Sequence, residues 1–229
     1  MASYNLEEEE QLEEIKTWWK QYGNRLLALL TVVLLVVSAY LAWHSYQARQ
    51  SAQAAVIYGA LQEAVMNKNA QGIKTASGEL LEKFGGFPRT PYASLGALVA
   101  AKALLEEGAS KDLNDVKTAK AQLSWVVEHG QDELRELARL RLAAVLLDEK
   151  SYDEALKLLT VDVSKPFAAR FAQSRGDILQ AQGKRAEARS AYEEALRKLS
   201  ENKTSTSTSE NGRYEQILQE QISALETSS

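Results

Sequence analysis

Residues 137–159, LARLRLAAVLLDEKSYDEALKLL, and residues 175–196, RGDILQAQGKRAEARSAYEEAL, read as two copies of one unit. Ala143 corresponds to Gly176, Leu146 to Leu179, Ala155 to Ala188 and Leu159 to Tyr192, with an offset of 33 at every position. The residue types have a packing reason. A small Gly or Ala lets two antiparallel helices approach, and the bulky residue four positions after Ala155 or Ala188 fills the groove between pairs. Each helical hairpin then leaves an apolar face that only a neighbouring hairpin can cover.

Working outward, an earlier unit reads Tyr92-x-x-Leu95-Gly96-x-x-Val99, followed by Ala119 and Leu123. Its halves fit the tetratricopeptide patterns W-x₂-L-G-x₂-Y and A-x₃-F. Gly96 and Ala119 are 23 positions apart, where Ala143 and Ala155 are 12 apart, so about 11 residues are inserted near EEGASKDLNDV. A weaker fourth unit pairs a preceding helix with Ala76 and Leu80. Helices are expected over roughly 71–83, 91–107, 114–128, 132–148, 151–160, 166–182 and 184–200. Pro91 and Pro166 suit helix starts, where the missing N–H costs nothing, and Gly85-Gly86, Pro88, Gly130 and Gly183 mark connections. No stretch alternates with period two, so no sheet is expected.

Upstream lies Leu26–Trp43, LLALLTVVLLVVSAYLAW, with no charged residue. Eighteen residues at the helical rise span about 27 Å, one hydrocarbon thickness. Eleven are Leu or Val, which favours insertion by about 4 kcal/mol. Trp18, Trp19 and Tyr22 precede the run, and Tyr40, Trp43 and Tyr46 close it, as interfacial anchors in the lipid bilayer do. Thr31 and Ser38 can bond back to their own helix. A cleavable signal peptide would carry a short basic leader and a small-residue exit. Here the leader is long and acidic and the exit bulky, so the run reads as an uncleaved anchor. Lys16, Lys20 and Arg25 precede it, against Arg49 alone just after it. The basic-residue rule therefore places the N-terminus in the cytoplasm and the C-terminal body outside.

The leader has its own pattern: Leu12, Ile15, Trp18, Trp19 and Tyr22 recur at spacings of three and four after Glu7–Glu10. It reads as an amphipathic helix entering the span, or as a docking helix for a partner. Residues 202–212, NKTSTSTSENG, read as a Ser/Thr linker. Beyond it Tyr214, Ile217, Leu218, Ile222 and Leu225 make a short amphipathic helix. Too short to stand alone, it should dock on its own domain or on a partner. The division is then a cytoplasmic acidic leader at 1–25, a transmembrane helix at 26–45, a periplasmic tetratricopeptide-like domain at 46–201, a linker at 202–212 and a C-terminal helix at 213–229. The fold class is all-α, a single transmembrane helix followed by a helical-hairpin solenoid.

Composition excludes several functions. The 229 residues carry 27 basic and 31 acidic side chains, and the six Glu of residues 1–25 account for most of the excess. A near-neutral body without a basic face argues against nucleic-acid binding. No Cys and only His44 and His129 leave no thiolate or multi-His metal site. His44 stands at the membrane exit and His129 at a helix end, where each has a structural role. There is no H-E-x-x-H, P-loop, dinucleotide Gly pattern or Ser/His/Asp set, so neither catalysis nor a cofactor is expected.

A binding role is the alternative. The first helix of each tetratricopeptide pair lines the concave face, which predicts Leu137, Leu140, Ala144 and Leu147 from one unit and Arg170, Gln173, Asp177 and Gln180 from the next. The first set is apolar, so something should cover it: the chain's own Tyr214–Leu225 helix or a partner protein.

The leader QLEEIKTWWKQYGN, the single span, Tyr92–Val99 and the two quoted repeat segments together resemble the ancillary SecYEG translocon subunit family, tetratricopeptide inner-membrane proteins of Gram-negative bacteria. The order of leader, span and repeats narrows the resemblance to that family. It implies a non-catalytic inner-membrane adaptor at the SecYEG translocon. Such a protein partners a membrane-anchored periplasmic prolyl-isomerase-like chaperone and links newly translocated proteins to periplasmic chaperones. The resemblance also allows a membrane-bound regulator of a stress-response pathway, acting through the leader. Two other readings stay open: an assembly scaffold such as those of cytochrome c maturation, and an enzyme subunit whose active site lies on a partner.

Overall fold

The computed structural model describes residues 3–86, 90–106, 112–202 and 208–227, with side chains described from Lys16 onward except in 208–210 and at Thr227. The described residues form nine helices and no strand. They are α1 (Ser3–Met66), α2 (Ala70–Phe84), α3 (Pro91–Leu105), α4 (Leu113–His129), α5 (Asp132–Asp148), α6 (Tyr152–Leu159), α7 (Lys165–Ala181), α8 (Arg185–Glu201) and α9 (Thr208–Thr227). The seven helices expected between residues 71 and 200 are all present, with ends within two residues of the expected ones. One boundary differs. Helix α9 begins at Thr208, inside the 202–212 run that composition assigns to a linker. Residues 203–207 of that run, the leader's Leu12 and Ile15 side chains, Pro88 and residues 107–111 of the insertion lie outside the described residues.

The chain divides into two units, residues up to Ala52 and residues from Gln53. The first is the long N-terminal part of α1. Its most apolar 18-residue window is wholly unburied, and the helix is long and apolar enough to cross a membrane. The Thr31 hydroxyl donates to the Leu27 carbonyl at 2.8 Å, as expected of a hydroxyl in hydrocarbon.

The second unit is the hairpin array. Local chemistry sets its helix ends. Asn69 Oδ1 accepts from the Gly72 N–H, and Asp112 Oδ1 from the Asn114 N–H, each at 3.0 Å, side-chain caps for α2 and α4. Pro91 opens α3 and Pro166 stands in the first turn of α7. The start of α7 is capped from another helix: Glu136 of α5 accepts the Ser164 N–H and hydroxyl, both at 2.6 Å.

Three hairpins turn by one device. The N–H of Lys150 donates to the Leu147 carbonyl and that of Ser151 to Leu146. Gly183 to Gln180 and Lys184 to Leu179 repeat the pair at the offset of 33, and Lys68 to Val65 with Asn69 to Ala64 repeat it in the first hairpin. This double bond pattern closes a helix with one left-handed residue. Lys68, Lys150 and Gly183 have φ of 51°, 62° and 76°. Only one of the three is the glycine that sequence would flag.

Packing follows the repeat. Ala119, Ala155 and Ala188, and the residues four later, Leu123, Leu159 and Tyr192, are all 0% exposed. A Cβ on Gly176 would stand 2.4 Å from Tyr192 Cε1, and one on Gly96 2.5 Å from Leu80 Cδ1. Both glycines therefore set the approach of neighbouring helices. The main core runs from Ala54 to Ile178. A second cluster joins Ala169 and Ala172 of α7, Ala188, Tyr192 and Ala195 of α8, and Leu218 and Leu225 of α9. Buried polar pairs tie the first hairpins together: Gln122 Nε2 donates to Ser77 Oγ at 2.6 Å, and Lys74 Nζ lies 2.8 Å from Asp115 Oδ1.

Candidate interaction surfaces

The eight expected groove residues fall into two environments. On α5, Leu137, Leu140 and Leu147 are half-buried and pack against the main core, while Ala144 is exposed. On α7, Gln173 and Asp177 are half-buried, and Arg170 and Gln180 are exposed. The second set is engaged by α9. Tyr214 Oη donates to Gln173 Oε1 (2.8 Å), Gln173 Nε2 to Gln221 Oε1 (3.1 Å), and Gln221 Nε2 to Asp177 Oδ1 (3.1 Å). From α8 the Tyr192 hydroxyl donates to Asp177 Oδ1 at 2.8 Å and lies 2.8 Å from Gln180 Oε1. The result is one chain of hydrogen bonds through three helices, with Asp177 at its centre. Leu218 and Leu225 are buried beside it, Tyr214 and Ile222 pack half-buried, and Arg189 pairs with Glu226 at 2.9 Å.

Burial decides the electrostatics of this network. It pushes the Asp177 carboxyl above the ordinary carboxylate value, against the hydrogen bonds from Tyr192 and Gln221. Burial also raises the Tyr214 phenol to about 12, outweighing the opposing Arg170 charge. Tyr192 moves in the same direction, by burial and then by the neighbouring Asp177 charge. The neutral forms are favoured throughout.

Sequence reasoning did not single out the cleft of about 630 Å³ between α3, α4 and α5, on which Ala144 alone of the expected residues lies. Apolar Leu105, Leu113, Val116 and Val145 line it with Arg141 and Asp148. The insertion that separates α3 from α4 was its only sequence signal.

In the first unit the expected anchors are all exposed, from 41% for Tyr22 to 65% for Tyr40. Trp18 pairs with Tyr22 at 5.9 Å between ring centres, and Trp43 with Tyr46 at 6.4 Å. Trp19 lies over Gly23, where a Cβ would meet its ring at 3.1 Å. His129 Nδ1 lies 3.1 Å from the Trp125 carbonyl, and its ring stacks on Trp125. Among the described residues no group of three His, Cys, Asp or Glu could hold a metal ion.

An apolar exposed helix joined in sequence to a 33-residue hairpin repeat is the combination that comparison with known proteins resolves. Residues 16–226 match the family described as a tetratricopeptide repeat-like domain, so the match takes in both the apolar helix and the array. An ancillary SecYEG translocon subunit of Neisseria gonorrhoeae is 33% identical over 200 residues, 87% of this chain and 91% of that protein. Proteins of the same name from Haemophilus influenzae and Escherichia coli K12 are each 30% identical over 194 residues, covering 90% and 87% of their lengths. The chain belongs to the ancillary SecYEG translocon subunit family. Each of these relatives is matched over at least 83% of this chain, so the similarity is not confined to a single repeat unit.

Proposed function

We propose that this chain is a non-catalytic adaptor of the SecYEG translocon. The observation that supports the reading is the match over 83–87% of the chain to proteins named ancillary SecYEG translocon subunit, beside a family match over residues 16–226 that takes in anchor and array. The N-terminus lies in the cytoplasm, as the basic residues before Leu26 favour, and the array lies in the periplasm. Leader, span and array act as separate parts, and the C-terminal helix, which begins at Thr208 after the connecting segment, closes the end of the array. The array offers newly translocated proteins a route to periplasmic chaperones and pairs with a membrane-anchored prolyl-isomerase-like chaperone. A hairpin array suits this work: it presents long side-chain-lined surfaces on a rigid frame. The groove residues on α5 and the cleft beside Ala144 stay available to partners while α9 occupies the α7 set.

Two experiments test the reading. A periplasm-active reporter fused after Ser229 should be active, and one fused before Leu26 inactive; the reverse pattern overturns it. SecYEG should co-purify with the full chain in mild detergent, and should be lost when residues 16–52 are replaced by an unrelated span.

A further inference from the structure

The cleft between α3, α4 and α5 has an apolar floor with charges around it, and among the described residues two of those charges have no ion-pair partner. Lys102 pairs with Glu106 at 3.3 Å, and Glu149 pairs with Lys120. Arg141 and Asp148 remain. One Arg141 nitrogen, Nη1, donates to the Leu98 carbonyl at 2.9 Å. Among the described residues no carboxylate lies within ion-pair distance of that guanidinium, and no cation within such distance of Asp148. A guanidinium has five donors, so most of its capacity is unused. It is half-buried, and burial already disfavours its charge. A carboxylate brought to it would regain what desolvation removes.

The spacing defines what fits. Arg141, Ala144, Val145 and Asp148 stand at i, i+3, i+4 and i+7 of α5, one face over about 10 Å. The cation and the anion therefore bracket an apolar centre, which Leu105, Val116 and the 84%-exposed Leu113 widen. A second helix lying along α5 repeats that spacing. It would place an acid opposite Arg141, a base opposite Asp148, and apolar side chains at its own i+3 and i+4 into the cleft.

We propose that this cleft binds an amphipathic helix of a partner protein that carries an acid and a base seven positions apart, bracketing two apolar residues. The proposal deepens the adaptor reading by naming the kind of segment the array takes.

The test uses the full chain in lipid nanodiscs and fluorescein-labelled Ala-rich helical peptides read by anisotropy. One peptide carries Glu, Leu, Leu and Lys at positions i, i+3, i+4 and i+7; a second carries the charges in the opposite order; a third has Gln at both charged positions. The better of the two charged peptides should bind at least about fivefold more tightly than the neutral one, the discrimination that paired charges supply. Arg141→Gln or Asp148→Asn should erase that difference, and Ala144→Trp should remove binding of all three by filling the cleft. Ala144 and Asp148 are exposed, so these variants should keep the wild-type helical content and melting temperature, even if Arg141→Gln does not. Equal binding of the neutral peptide, undiminished binding to Ala144→Trp, or no binding to the wild-type chain would each overturn the proposal. None of these results bears on co-purification with SecYEG, so failure here and failure of the translocon reading are separable.

Discussion

The repeat is held at single residues, and these are where substitutions discriminate best. Ala188 is fully buried between α7 and α8. Replacing it with Leu adds bulk that the close-packed interface has no room for, at about 1–3 kcal/mol. Chemical denaturation of a fragment starting near Gln53 should show that loss; an unchanged midpoint would contradict the register of the repeat. The three equivalent turns give a finer test with opposite signs. Gly183 sits at φ 76° with open space around it, so Gly183→Ala should cost about 1 kcal/mol through backbone strain alone. Lys150 holds the same conformation without being glycine, and Lys150→Gly should leave stability equal or raise it by about 0.5 kcal/mol. The small-then-bulky packing positions were legible in the sequence because the offset of 33 exposes them. The turns at Lys68 and Lys150 were not, because a lysine carries no mark of a left-handed backbone. Glu136 was equally silent, since its role as a cap for α7 depends on a contact 28 residues away.

Among the elements, α9 depends most on its neighbours. Its apolar spacing was readable, and four of the five expected residues, Tyr214, Leu218, Ile222 and Leu225, pack into the second cluster, whereas Ile217 is 41% exposed. Its start lies at Thr208, inside the Ser/Thr run that composition assigns to a linker; composition is a weak guide to where a helix begins. Deleting residues 208–229 would uncover Ala169, Ala172 and Tyr192 and forfeit the burial of two leucines, about 3–5 kcal/mol. Hydrophobic-dye binding should rise and the last hairpin should lose hydrogen-exchange protection. An array that melts unchanged would mean that α9 is not a cap. The packing also titrates. Asp177 has a folded value raised above its ordinary one. Its contribution is therefore complete below the ordinary carboxylate value and declines as pH rises through the folded value. Asp177→Asn should flatten stability across the acidic range. Tyr214 repeats the sign at the alkaline end: its contribution is full below its ordinary 10.0 and falls as pH passes through about 12. Tyr214→Phe should reduce the alkaline loss and leave the part that Tyr192 contributes in the same direction; a loss of unchanged size would mean that α9 does not dock through this phenol.

For the whole molecule, the all-α class, the apolar helix and the tetratricopeptide-like array were all in the sequence, because the array rests on a repeat of 33 and the helix on an unbroken apolar run. The surfaces were less legible. Two residue sets of equal standing in the repeat, on α5 and α7, acquire different neighbours because α9 engages only one of them by the hydrogen bonds described. The cleft beside Ala144 depends on three helices that no single repeat unit contains. The central claim is that this chain works at the translocon with its array in the periplasm. Site-specific photo-crosslinking in living cells tests it most directly, with the reactive residue placed at Leu35 in the span or at Ala144 in the array. Both positions are exposed. The account predicts that Leu35 captures a subunit of SecYEG and that Ala144 captures a periplasmic chaperone. Crosslinks from Ala144 to cytosolic proteins, or no SecYEG subunit captured at any exposed position of the span, would contradict it.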